Sequence, residues 1–381
     1  MPFQTERAVA EDGSVDWVVV DAESYDLHVE ATAFLASLRA RDCSPNTARA
    51  YAGRVAVYLT YCANIGLDWR TPGFLPMKRF KDWLVSEPIA PRTRRAAAAR
   101  YRSEGSANAV LTAVCEFLRF GHPHGWVPQS TVAMLAEPKY LTHLPPGYDP
   151  GEDYQFRVVG KSTFRFRLVE PGYEALSPGQ VTHMIDLAGN ARDRFLVALL
   201  GCTGCRIGEA LGLRREDMHL LPNSQDLGCA IKGPHVHIRR RPDNANKALA
   251  KARKPRSIPV TDNLIRFYSD YRYDRDQIDE AADCDLVFVN CYRPPLGRPM
   301  TYDNAKEMFE RLARVAGFTA RPHMLRHGAA TQWLRDGTGR DVVQELLGHV
   351  SQASMQSYIH VTDQEKRDAV ERVSGVRREA R

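Results

Sequence analysis

Histidines, arginines and a single tyrosine crowd residues 323–358, HMLRHGAATQWLRDGTGRDVVQELLGHVSQASMQSY. The combination suits work on a phosphodiester, where fixed cations meet phosphate oxygens and a phenol can serve as nucleophile. His323, Arg326 and His327 are spaced to share one face of a helix. Gly337 and Gly339 then break the chain. A short helix is expected over Arg340–Leu347, with Val342, Val343, Leu346 and Leu347 as its buried stripe. Gly348 ends it and leaves His349 just past its C-terminus. Tyr358 follows on the next short helix, which Met355 and Ile359 anchor on its apolar side.

The elements that must hold these groups begin upstream. Ser177-Pro178 caps a helix, and a second one carrying Phe195, Leu196, Ala198, Leu199 and Leu200 stops at Gly204. The segment CRIGEALGLRREDM then sets Arg206 in the first turn of a helix whose Ile207, Ala210 and Leu211 face a core. Glu209, three residues on, is within reach of a contact that orients the arginine. A strand-rich insert follows, with alternation clearest in His235–Ile238 and in residues 257–260. His235 and His237 share one side of a strand and, with no further ligand in view, are expected to face solvent. Residues 262–277 read as an amphipathic helix, 286–289 as a buried strand and 301–315 as another helix.

Earlier still, residues 1–24 are acidic without sustained periodicity and are expected to be a mobile leader. Residues 25–127 read as four helices without strands: Phe34, Leu35 and Leu38 lie on the first, and Ser44-Pro45 caps the second, which carries Val55, Tyr58 and Leu59. Phe80 and Leu84 lie on the third, and Val110, Val114 and Phe117 on the fourth. Residues 128–176, rich in proline, glycine and aromatics, are expected to be a linker, with strand alternation in FRVVG and FRFRLVE marking a hairpin.

The chain has 381 residues, 44% hydrophobic and 26% charged, as a soluble protein of two or three domains would. No apolar run reaches the roughly 20 residues of a membrane span, and the N-terminus lacks a signal core. A cytoplasmic location with reduced cysteines is expected; the Cys202-x-x-Cys205 pair has no partner pair at zinc-ligand spacing. The net charge of +6 is unevenly spread. Arg92, Arg94, Arg95, Arg100 and Arg102 form one basic patch, and Arg239, Arg240, Arg241, Lys247, Lys251, Arg253, Lys254 and Arg256 another. Two such patches suit a polyanion. There is no nucleotide-binding Gly-x-x-x-x-Gly-Lys-Ser/Thr loop and no acidic cluster of the kind that holds magnesium. Met324 stands where a zinc protease of the His-Glu-x-x-His type has its glutamate, which removes that reading of His323 and His327.

The His-x-x-Arg box at His323 and Arg326, the Leu-Leu-Gly-His box ending at His349, and the tyrosine nine residues later resemble, in order and spacing, the C-terminal signature of the tyrosine recombinases, the phage integrase family. CRIGEALGLRREDM resembles that family's first arginine box, and SPNTARAYAGRVAVYL is a looser match to its N-terminal core-binding domain. The resemblance implies a mainly α fold with a small β-sheet or hairpin: an α-helical core-binding domain over 25–127 and a mixed α+β catalytic domain over 177–362. It further implies a site-specific DNA recombinase that cuts and rejoins strands through a covalent 3′-phosphotyrosine, with no cofactor and no metal. In that chemistry Arg206 and Arg326 clamp the phosphate, His349 adds a donor, His323 assists proton removal and Tyr358 attacks. A hairpin lysine serves as general acid. Counting back from Ile258-Pro259 points to Lys251, with Lys247 and Lys254 left open.

Arg49, Arg54, Arg92, Arg94 and Arg95 are candidates for phosphate contacts that position the protein on duplex DNA. The implied partners are double-stranded DNA, three further copies in a homo-tetramer on two DNA sites, and accessory DNA-bending or directionality proteins. Residues 363–381, a charged helix and tail, are expected to dock on a neighbouring copy. The long linker and insert favour the integrase or transposase of a mobile element over a chromosome-dimer resolvase. A type IB topoisomerase-like enzyme is the rival within catalysis, marked by monomeric relaxation without a preferred site. A DNA-binding protein of the same fold that forms no covalent adduct is the rival outside it.

Overall fold

Val18, Val19 and Val20 are buried near the start of the chain, and their burial changes how the first residues are to be understood. The structure, a computed structural model, describes residues 2–9, 15–89, 99–140, 156–160, 164–168, 174–225, 228–252 and 254–348. The chain divides into two compact units, residues 1–170 and 171–381.

In the first unit, β1 (Phe3–Val9) pairs antiparallel with β2 (Val15–Asp21). Val19 enters the core beside Phe34, Val55 and Phe117. The buried Thr60 hydroxyl accepts from Phe3 N–H at 3.2 Å and donates to the Phe3 carbonyl at 3.3 Å, tying β1 to a helix. Over its described residues the segment expected to be a mobile leader is therefore a pair of strands. Its three consecutive valines follow no alternation, and their burial depends on a helix some forty residues away, so no local pattern announces it.

Five helices follow: α1 (Val29–Ala40), α2 (Pro45–Asn64), α3 (Phe74–Ser86), α4 (Glu104–Gly121) and α5 (Gln129–Met134). Ser44 caps α2 by accepting from Thr47 N–H, with Pro45 in the first turn. The apolar faces meet in one core built around Phe34, Tyr58, Phe80 and Phe117. Beyond them β3 (Ala136–Tyr140) pairs antiparallel with β4 (Phe156–Gly160), so FRVVG is a strand as read. FRFRLVE is not: among its described residues Phe164 fills the same core, and the Phe166 backbone N–H donates to Asn108 Oδ1 at 2.8 Å and its carbonyl accepts from Asn108 Nδ2 at 3.0 Å. The segment expected to be a linker thus adds side chains to the first unit.

In the second unit, α6 (Pro178–Leu187) opens with a capping box between Ser177 and Gln180 and is followed by α7 (Ala191–Thr203) and the single turn α8 (Ile207–Leu211). Strands β5 (Met218–His219), β6 (His235–Ile238) and β7 (Arg256–Pro259) form an antiparallel sheet in that order. Helices α9 (Asp262–Asp276), α10 (Tyr302–Ala316), α11 (Pro322–Arg335) and α12 (Arg340–Leu347) complete it. Leu286, Val287, Phe288 and Val289 are fully buried, but they make only isolated bridges at Leu286 and Val289 rather than the expected strand. Tyr271 takes part of the partner's role: its hydroxyl donates to the Val287 carbonyl at 2.8 Å and accepts from Val289 N–H at 3.0 Å. On α12 only Val343 and Leu347 of the expected stripe are buried, while Val342 is exposed.

Candidate active site

The turn between α7 and α8 fixes the position of Arg206. Gly204 caps α7 in the left-handed region, at φ 59°. A Cβ there would stand 3.1 Å from Leu347 and 3.2 Å from the Trp333 ring, so glycine lets the chain reverse tightly under α11 and α12. Arg206 follows at the N-cap of α8. Glu209 accepts its backbone N–H at 2.9 Å and its Nη1 at 3.1 Å. The same carboxylate takes Arg256 from β7, at 2.7 Å from Nη2 and 3.4 Å from Nη1. Burial alone would push the Glu209 carboxyl up; Arg256 and Arg206 outweigh it and hold the group below the ordinary carboxylate range.

Arg326, on α11, is 1% exposed. Its Nη1 donates to the Gly204 carbonyl at 2.7 Å and its Nη2 to the Leu347 carbonyl at 2.8 Å. Arg256 Nε donates to the adjacent Leu346 carbonyl at 2.8 Å. Both guanidiniums thus satisfy carbonyls in the last turn of α12, which helix geometry leaves without partners and which carry the negative end of the dipole. Gly348 closes that turn at φ 64°, where a Cβ would lie 2.7 Å from Arg256 Nη1.

Arg326 thus bonds the α7–α8 turn two residues before Arg206, and Glu209 joins Arg206 to Arg256. His323 lies one helical turn before Arg326, its Nε2 2.6 Å from that of His327. Desolvation, then the charges of Arg326 and Arg206, lower its pKa from the usual imidazole value. Lys247, Lys251 and Lys254 are all exposed on the loop between β6 and β7. Arg49 lies over the Trp17 ring at 5.2 Å and Arg54 over Tyr51 at 5.7 Å, both in the first unit. His349, Tyr358, Arg92, Arg94, Arg95 and the 363–381 tail lie outside the described residues.

Two features escape a reading by motif. Arg256 counts in the sequence as one of a basic run, yet it is buried on the same strand face as Ile258; that alternation was the available signal. Two half-buried members of the second basic patch are also paired within the protein. Arg241 makes paired bonds to the buried Asp217 at 2.7 and 2.8 Å, and Arg240 donates to the Ala250 carbonyl at 3.2 Å. His235 and His237 do not face solvent as expected. His235 is buried and His237 half-buried, with Nε2 atoms 3.1 Å apart and His219 and Cys229 beside them. Desolvation, then the neighbouring imidazoles, bring His237 down to about 4. The missing partners, His219 on β5 and Cys229 in the loop after it, are brought to them by the pairing of β5 with β6.

The integrase of transposon Tn1549, solved in complex with circular intermediate DNA, superposes with a TM-score of 0.58, at 15% identity over 90% of this chain and 98% of that one. That likeness is one of fold. Transposase A of transposon Tn554 from Staphylococcus aureus is 27% identical over 361 residues, 92% of each chain. Tyrosine recombinase XerD of Lacticaseibacillus casei is 24% identical over 264 residues, 69% of this chain and 74% of its own. The phage integrase family model matches residues 174–365. The chain belongs to the phage integrase family, and it is an enzyme that cleaves and rejoins DNA.

Proposed function

We propose that this recombinase moves a mobile element, acting on duplex DNA through a 3′-phosphotyrosine at Tyr358. The observation that carries the assignment of the site is that Arg326 bonds the end of α12 and the α7–α8 turn two residues before Arg206, which Glu209 holds. Two guanidiniums there suit the nonbridging oxygens of one phosphate, with His349 as a further donor. The tyrosine oxygen attacks phosphorus, the 5′-oxygen leaves with a proton from a loop lysine, Lys251 by its spacing, and the ester energy is kept for rejoining. Arg49 and Arg54 are proposed phosphate contacts of the first unit, as are Arg92, Arg94 and Arg95. Likeness to the Tn554 transposase over nearly the whole chain supports a mobile-element role over that of a resolvase, since the XerD match is shorter.

The test is a nicked duplex whose cleavage releases a short strand and traps the adduct. The DNA-linked peptide is expected to contain Tyr358; an adduct at another residue, or none on any cognate end sequence, would remove the proposal. Assembly is proposed to be a tetramer closed by residues 363–381, so deleting them should spare binding of a single site but impair synapsis. Unchanged recombination by the truncated chain would exclude that role.

His323 gives a pH dependence. A base works when neutral, and a lowered pKa keeps it neutral to lower pH, so the acid limb of the cleavage rate should fall below the ordinary imidazole value of about 6.5. Removing the nearby charge in Arg206→Gln should move that limb upward in single-turnover cleavage. An acid limb that stays put would dissociate His323 from proton transfer.

A further inference from the structure

His219, Cys229, His235 and His237 converge from β5, the loop after it and β6, in the spacing His-x9-Cys-x5-His-x-His. One ligand atom from each lies within 4.8 Å of all the others. Cys229 Sγ is 3.4 Å from His235 Nε2 and 3.5 Å from His237 Nε2, and the two Nε2 atoms are 3.1 Å apart. A tetrahedral ion with bonds of about 2.0–2.1 Å to nitrogen and about 2.3 Å to sulfur requires edges of roughly 3.3 and 3.6 Å. The three separations among Cys229, His235 and His237 are within a few tenths of an ångström of these, and His219 lies within 4.8 Å of each.

The outward nitrogens are already engaged. His235 Nδ1 is 2.7 Å from the Gly233 carbonyl, His237 Nδ1 2.9 Å from Ser257 Oγ and His219 Nε2 3.2 Å from the Glu216 carbonyl. Such partners fix the tautomer of a ligating imidazole and leave its other nitrogen for the ion. On His219 that other nitrogen, Nδ1, is buried and has no hydrogen-bond partner among the described residues. A buried polar atom without a partner is costly, and a ligand bond would resolve it. Three imidazoles and one thiolate suit a borderline ion and not a hard oxygen-seeking one.

We propose that these four side chains bind one zinc ion that staples the β5–β6–β7 sheet. Four protein ligands close the coordination sphere, so the ion is structural and takes no part in strand transfer. Its reach toward the active site is short. His237 pairs in register with Ser257, whose neighbour Arg256 holds Glu209 and the end of α12. The loop that carries Lys251 leaves and rejoins this sheet between β6 and β7.

The full chain, purified without chelator and dialysed, is expected to hold about one zinc per chain by elemental analysis. Cobalt in its place should give the intense visible bands of a tetrahedral site and a thiolate charge-transfer band in the near ultraviolet. Cys229→Ser should lose the latter band, and His235→Ala the bound metal. Chelation should lower the melting temperature and zinc should restore it. Wild-type protein that retains no zinc, or that with cobalt shows only a weak octahedral spectrum, would overturn the site whether or not the variants fold. Nickel or copper in place of zinc in the protein as purified would overturn the choice of zinc.

Discussion

Arg326→Ala is expected to slow strand cleavage by at least about 10²–10³-fold, the usual cost of removing one positioned donor from a developing oxyanion. Tyr358→Phe, which lacks the proposed nucleophile, is expected to set zero on the same single-turnover assay. The loss should exceed that figure, because Arg326 also bonds the Gly204 and Leu347 carbonyls and so joins α11 to the α7–α8 turn and to α12. Arg326→Lys separates the two contributions. It keeps the charge but cannot reach both carbonyls and a phosphate with one ammonium, so cleavage should stay severely reduced although duplex affinity recovers. Cleavage by Arg326→Lys within a few-fold of wild type would show that charge alone suffices there.

Glu209→Ala is expected to be the most destabilising single change in the second unit. Glu209 is 3% exposed and stands between two guanidiniums, one of them, Arg256, almost as deeply buried. Removing it strands a buried cation, which costs roughly 3–5 kcal/mol. For a unit of this size the fall in Tm should be about 6–20 °C. The folded pKa of Glu209 is depressed, so its contribution is complete above the unfolded carboxylate value of about 4.3 and is lost as pH falls through the folded one. The Tm gap between wild type and Glu209→Gln should therefore narrow on acidification. Pairing Glu209→Leu with Arg256→Met should recover part of the stability and none of the cleavage, since Arg206 then has no carboxylate to orient it. Tm of Glu209→Ala within one or two degrees of wild type would contradict the coupling.

The sequence by itself determined most of the helices and the family. Caps at Ser44 and Ser177, the left-handed glycines Gly204 and Gly348, and apolar spacing along α4 and α10 are local features, readable because a helix bonds to itself. The two arginine boxes and the tyrosine stand out for another reason: their order and spacing resemble those of a known family. Tertiary structure alone decided where unmatched groups go. Whether Val19 is buried, whether Arg256 faces water or Glu209, and whether two histidines on β6 find a third and a thiol all depend on chain segments distant in sequence. Charge pairing and ligand convergence are properties of the space between elements; alternation along β7 marks the face that Arg256 shares with Ile258, but not what that face meets.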